Sequence, residues 1–185
     1  MRRTKEEAMQ TRETVLNAAT RIIARQGFTG FTIDAVAHEA GLTKGGVLHH
    51  FHSKEDLING LIDQVVMMFN NRLQDELQQE TDDQPGRWLR AYIRTVFAVR
   101  YEEMNLLPAL AAAVSAETQI LDRIRKSFEG SQLAAVQDSS NPVLATIIRL
   151  AVDGMVFGRA LNVDVLDPAE SRRVYDELIR LTRQL

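Results

Sequence analysis

The sequence predicts an all-α protein of about nine helices, and three observations predict it. Apolar residues recur along most of the 185-residue chain at the three- and four-residue spacing of one helix face. Alternation of the strand type is absent. Segment boundaries carry helix signals: Thr, Ser, Asn or Asp before a start, Gly after a stop.

The elements follow in order. Val15, Ala18, Ala19, Ile22 and Ile23 define a first apolar face, and Gly27 supplies its stop. Thr32 caps a second helix with an inner face of Ile33, Val36, Ala37 and Ala40; Gly41 ends it by adopting positive φ. Thr43 caps a short third helix reaching about Phe51, and Ser53 with Asp56 resembles a capping box at the start of a fourth. The fourth is long, with Ile58, Leu61, Ile62, Val65, Met68, Phe69 and Leu73 in period before "QQETDDQPG" interrupts it. Leu89, Tyr92, Ile93, Val96 and Phe97 mark a fifth, broken before Pro108, and residues 109–136 are expected to hold one or two more. Asn141-Pro142 and Asp167-Pro168 open the last two, each placing a strong cap before a proline whose missing N–H costs nothing there.

Composition bounds the function. Apolar residues make up 45 % of the chain, enough for a core, and the absence of cysteine removes disulfides, thiolate ligands and thiol nucleophiles. No run of roughly 18 apolar residues exists, so no membrane span is expected. The charged start "MRRTKEEAMQTRE" lacks the apolar stretch of a secretory signal, so a cytoplasmic location is expected. Net charge is −3, but its distribution is uneven. Residues 1–30 carry Arg2, Arg3, Lys5, Arg12, Arg21 and Arg25 against Glu6, Glu7 and Glu13, whereas acids outnumber bases 18 to 14 beyond residue 60.

Residues 32–54 carry the most specific signal. Two short helices joined by "AGLT" have the helix-turn-helix form, with Ala37 small where the helices cross and Leu42 and Val47 filling the wedge. The second of these would enter the DNA major groove by its N-terminal end. Gly45 and Gly46 let its backbone approach the duplex, Thr43 offers a hydroxyl to a phosphate at the positive helix end, and Lys44 is placed for a base edge or a phosphate. His49, His50 and Lys54 follow on the side meeting the DNA backbone, and Arg2, Arg3 and Lys5 would add an arm. A metal site built from His38, His49, His50 and His52 is the alternative, but no carboxylate or thiol joins them by spacing. No phosphate loop, nucleophile motif or spaced acid pair points to an enzyme, and no cofactor is implied.

The stretch "FTIDAVAHEAGLTKGGVLHHFHSKEDLINGLI", preceded by "TRETVLNAATRIIARQGF", resembles the DNA-binding domain of TetR-type transcriptional regulators over about residues 10–62. The resemblance implies a helix-turn-helix domain at residues 1–52 and a helical effector-binding and dimerisation domain at 53–185. It also implies an operator duplex, a small-molecule effector and a homodimer as partners. Thr32, Thr43, Lys44, Gly46, His49, His50 and Lys54 fall on the family's DNA-facing positions. Leu48 replaces the usual Tyr or Phe, so a phosphate-contacting hydroxyl is lost and Leu48 could instead touch a thymine methyl. A repressor released by its ligand is the expected function; a metal-responsive regulator or an activator is the alternative.

Two features of the body complete the expectation. Leu144, Ile148, Ala151 and Met155, and likewise Val174, Leu178, Leu181 and Leu185, follow the narrow seam of near-parallel helix packing, within one chain or between two. Gly154 and Gly158 beside them would let another backbone approach. The twofold required by paired half-sites favours the dimer. Met68, Trp88, Phe97, Tyr101, Phe128 and Met155 are the candidates for an effector pocket, which suits an amphipathic or aromatic molecule.

Overall fold

The computed structural model describes residues 5–98, 118–160, 163 and 165–185. Eight α-helices and no strand occur among them: α1 (Lys5–Gln26), α2 (Ile33–Ala40), α3 (Lys44–His50), α4 (Lys54–Gln79), α5 (Arg87–Ala98), α6 (Thr118–Gln137), α7 (Pro142–Ala160) and α8 (Pro168–Thr182). The all-α class holds, and the count approaches the expected nine. Among the described residues no helix is long and apolar enough to cross a membrane.

The described residues fall into two compact units that divide at Val66 and Met67, inside α4. In the first, Val15, Ala18, Ala19, Ile22 and Ile23 of α1 pack with Phe31, Val36, Ala37, Val47 and Phe51. Leu57, Ile58, Leu61 and Ile62 of α4 are buried as well, so the compact unit runs past residue 52 and takes in the start of α4. Arg21 and Arg25 of α1 both reach Glu39 of α2, the former at 2.7 Å. Their hydrogen bonds hold the Glu39 carboxyl below the usual carboxylate range.

The second unit has its own core of Leu73, Leu89, Ile93, Val96, Ala145, Ile148, Val152 and Leu178. Its helix starts follow the sequence signals. Leu144 N–H donates to Asn141 Oδ1 at 3.2 Å, and Asp167 with Glu170 forms a reciprocal capping box before Pro168. Arg90, only 4 % exposed, donates to the carbonyls of Asp82, Gln84 and Pro85 at 2.9–3.0 Å and so organises the α4–α5 connection. Beside it Arg94 binds Glu76 at 2.9 Å and also Glu80. Burial raises the Glu80 pKa, but hydrogen bonds from Arg94 and the Asp82 N–H outweigh it and leave the carboxyl below its ordinary value.

One polar network lies inside this core. Arg149 and Asp153 pair one turn apart on α7, with side chains 9 % and 6 % exposed. The Tyr92 hydroxyl of α5 donates to Asp153, while Arg149 Nε donates to Gln132 Oε1 of α6 at 2.6 Å. Burial and the Asp153 carboxylate push the Tyr92 phenol pKa up, so it stays a donor. Three helices are tied through one charged pair.

Candidate nucleic-acid interface

The turn between α2 and α3 is built as its residues require. Thr32 and Thr43 are both extended N-caps, accepting from Ala35 N and Gly46 N at 3.1 Å. Gly41 takes φ of 66°, a conformation that favours glycine, and Leu42 N–H donates back to Ala37 O at 2.9 Å to close α2. Val47 is fully buried and Phe51 nearly so; these two anchors seat the seven-residue α3 on the core. A helix so short and glycine-rich has little stability of its own, and its place is set by that packing.

The opposite face of α3 is open. Thr32, Thr43, Lys44, Gly45 and His49 are exposed, while Gly46, Leu48, His50 and Lys54 are half-buried. The two glycines differ. A Cβ on Gly46 would sit 3.3 Å from Thr43 Oγ1, so this glycine serves the cap. A Cβ on Gly45 would meet nothing within 4 Å, so no internal packing demands glycine there. Glycine inside a helix weakens it relative to alanine, and Gly45 bears that cost for no internal benefit.

Several side chains have partners that the sequence did not announce. Lys44 Nζ lies 2.9 Å from Asp34 Oδ2 of α2. Lys54 Nζ stands 5.3 Å from the Phe31 ring centroid, and the His49 and His50 rings meet edge to face at 5.3 Å. His52 pairs instead with Asp56 at 3.4 Å. Among the described residues no three His, Asp or Glu side chains converge as a metal set. Arg2 and Arg3 lie outside the described residues.

The body residues separate. Phe97 lines a cavity of about 520 Å³ with Glu76, Arg94, Arg172 and Tyr175. Trp88 lines a second of about 280 Å³ with Asn70, Leu73, Lys126 and Ser131, and stacks on Tyr92 at 4.9 Å. Met68 is exposed, Phe128 stacks on Phe157 at 6.0 Å, and Met155 packs on the core. The five described candidates therefore do not share one cavity; Tyr101 lies outside the described residues. Most of the expected dimer seam is covered within the protomer. Ile148, Leu178 and Leu185 are buried in the protomer core, with Leu144, Met155, Val174 and Leu181 packed against it. The spacing serves the protomer's own core. Of the eight seam residues only Ala151 is exposed, and it stands beside exposed Val143, Ile147, Leu150, Gly154 and Phe157 of α7.

Comparison with known proteins matches residues 15–61 to the family described as bacterial regulatory proteins, tetR family, and residues 86–183 to the tetracyclin repressor-like C-terminal domain. The transcriptional repressor BepR of Brucella suis biovar 1 (strain 1330) is 40 % identical over 62 residues, 34 % of this chain and 30 % of that protein. The chain thus spans about 30 % of the length of the curated relatives it matches. In fold, a transcriptional regulator from Rhodococcus sp. Rha1 aligns with a TM-score of 0.76 at 20 % identity, covering 94 % of this chain and 96 % of that one. The multidrug binding protein EbrR, solved with malachite green, aligns at 0.68 and 20 % identity over 92 % and 96 % of the two chains.

Proposed function

Because the chain belongs to the TetR family of bacterial regulatory proteins, we propose that it is a cytoplasmic transcriptional repressor that binds an operator through α3 and leaves it on binding a small molecule. The single observation that supports the DNA reading is Gly45: an exposed helical glycine, beside Thr43 and Lys44, that nothing in the protein requires. A duplex pressed against the start of α3 would need that open space. Thr32, Thr43, Lys44, Gly45, Gly46, Leu48, His49, His50 and Lys54 form the proposed contact surface. Two copies would present two such helices at about one helical turn of DNA, roughly 34–36 Å apart. The exposed apolar face of α7 is the proposed surface joining them.

The effector is proposed to be amphipathic or aromatic and to occupy one of the two body cavities. Glu76 lines the larger, and Asn70 and Leu73 the smaller; all three are residues of α4. A ligand in either cavity touches the helix whose first turns belong to the DNA-binding unit. It releases the operator only to the extent that it prefers one arrangement of α4 over another.

Selecting duplexes from a random pool tests the reading. An enriched sequence is expected, with affinity falling steeply as salt rises because phosphate neutralisation releases counterions. No enrichment, or salt-independent binding, overturns it. Malachite green, bound by a protein of the same fold, is a first probe for displacement. Gly45→Ala is expected to raise the melting temperature, since alanine favours a helix by about 0.5–1 kcal/mol over glycine. It should weaken operator binding at the same time. Thermal melting and a binding isotherm on one variant check both, and unchanged binding would remove the duplex as the reason for that glycine.

A further inference from the structure

Lys44 occupies the first position of α3, where the positive end of the helix disfavours a cation. Helix stability therefore does not account for it. Its only ion-pair partner among the described residues is Asp34, in the first turn of α2 at 2.9 Å, and the two side chains are 58 % and 68 % exposed. A pair so exposed adds little to stability. An acid on a DNA-facing surface also repels every duplex alike. The first turn of α2 suits a carboxylate, but one beside Lys44 is unfavourable for a protein that merely adheres to DNA, and so points to selectivity.

We propose that Asp34 is a positioning residue for DNA readout, holding the Lys44 ammonium so that it addresses a base edge and not the nearest phosphate. This rests on the reading of α3 as the recognition helix. A free lysine is a point charge on a flexible stem and settles on phosphate. Beneath a bound duplex, where water no longer screens the pair, the carboxylate compensates its charge and fixes its tip. Of three N–H donors, one goes to Asp34 and two remain for acceptors such as guanine O6 and N7. Asp34 itself penalises any duplex that offers Lys44 no such acceptor. The residue thus lowers general affinity and raises discrimination.

The test compares the duplex enriched from a random pool with an unselected duplex of equal length, across a salt series. Asp34→Asn, Lys44→Ala and the double variant are measured beside the parent protein. Asp34→Asn is expected to tighten binding of the unselected duplex. It should steepen the slope against log salt by about 0.9 as Lys44 becomes a phosphate neutraliser. The selected-to-unselected ratio should fall on the order of tenfold, the discrimination of one good base contact. Lys44→Ala alone should lower that ratio similarly with the slope nearly unchanged, and adding Asp34→Asn should then lower it no further. Equal changes on both duplexes, or a slope flattened by about 0.9 in Lys44→Ala alone, overturn the proposal. So does a drop in melting temperature that accounts for the loss. If the parent protein enriches no duplex, the recognition-helix reading itself has failed, and the two failures are distinguished.

Discussion

Asp153→Ala is expected to lower the melting temperature by roughly 6–20 °C. The carboxylate is almost fully buried and satisfies two groups at once, the Arg149 guanidinium and the Tyr92 hydroxyl. Removing it leaves a cation in a low-dielectric core with Gln132 as its remaining partner among the described residues. Breaking a buried pair from one side costs about 3–5 kcal/mol. For a protein of this size each kcal/mol corresponds to roughly 2–4 °C. Replacing both partners, Arg149→Met with Asp153→Leu, should recover part of the loss, because no charge is then left buried although the Tyr92 hydroxyl still lacks its acceptor. The double-mutant cycle read by thermal melting separates an orphaned charge from a simple cavity. A single variant that melts with the parent protein would show that the pair does not hold α5, α6 and α7 together.

Leu150→Glu is expected to convert a dimer to a monomer while leaving the protomer fold intact. Leu150 is 54 % exposed, Ile147 57 % and Val143 71 %, one helical face of apolar side chains that the protomer does not cover. In an isologous interface each substitution acts twice. A carboxylate introduced there must be desolvated against an apolar partner. Sedimentation or light scattering should report the halved mass. Operator affinity should fall by about 100-fold or more, because the second half-site is no longer delivered by the first. Ile148→Ala, two residues away but 1 % exposed, should do the reverse. It should cost about 2–5 kcal/mol of stability and leave association unchanged. If the two variants exchange these effects, the seam read from spacing is the interface after all.

That pair of variants shows where sequence reading reaches its limit. Leu144, Ile148, Leu178 and Leu181 announce packed helix faces by spacing alone, and all four lie in or against the core. Spacing says nothing of whose helix covers them. A stripe used inside the protomer and one used between protomers obey the same periodicity, and only burial separates them. The aromatic candidates fail similarly: Trp88 and Phe97 lie nine residues apart on one helix yet line different cavities. Asp34 carries no such signal in the sequence, because its partner stands on another helix. Arg149 and Asp153, by contrast, show their one-turn spacing in the sequence, though not their burial.

What the sequence determined alone is what depends on neighbours along the chain. Helix starts at Thr32, Thr43, Asn141 and Asp167, the turn at Gly41, and the helix-turn-helix order all follow from caps, φ preferences and the 3.6-residue period. Tertiary structure alone decided which apolar faces are core and which stay open. It also decided which charges meet across helices, and that Gly45, unlike Gly46, has empty space in front of it. Those properties belong to distances between segments far apart in sequence, and local propensity carries no term for them.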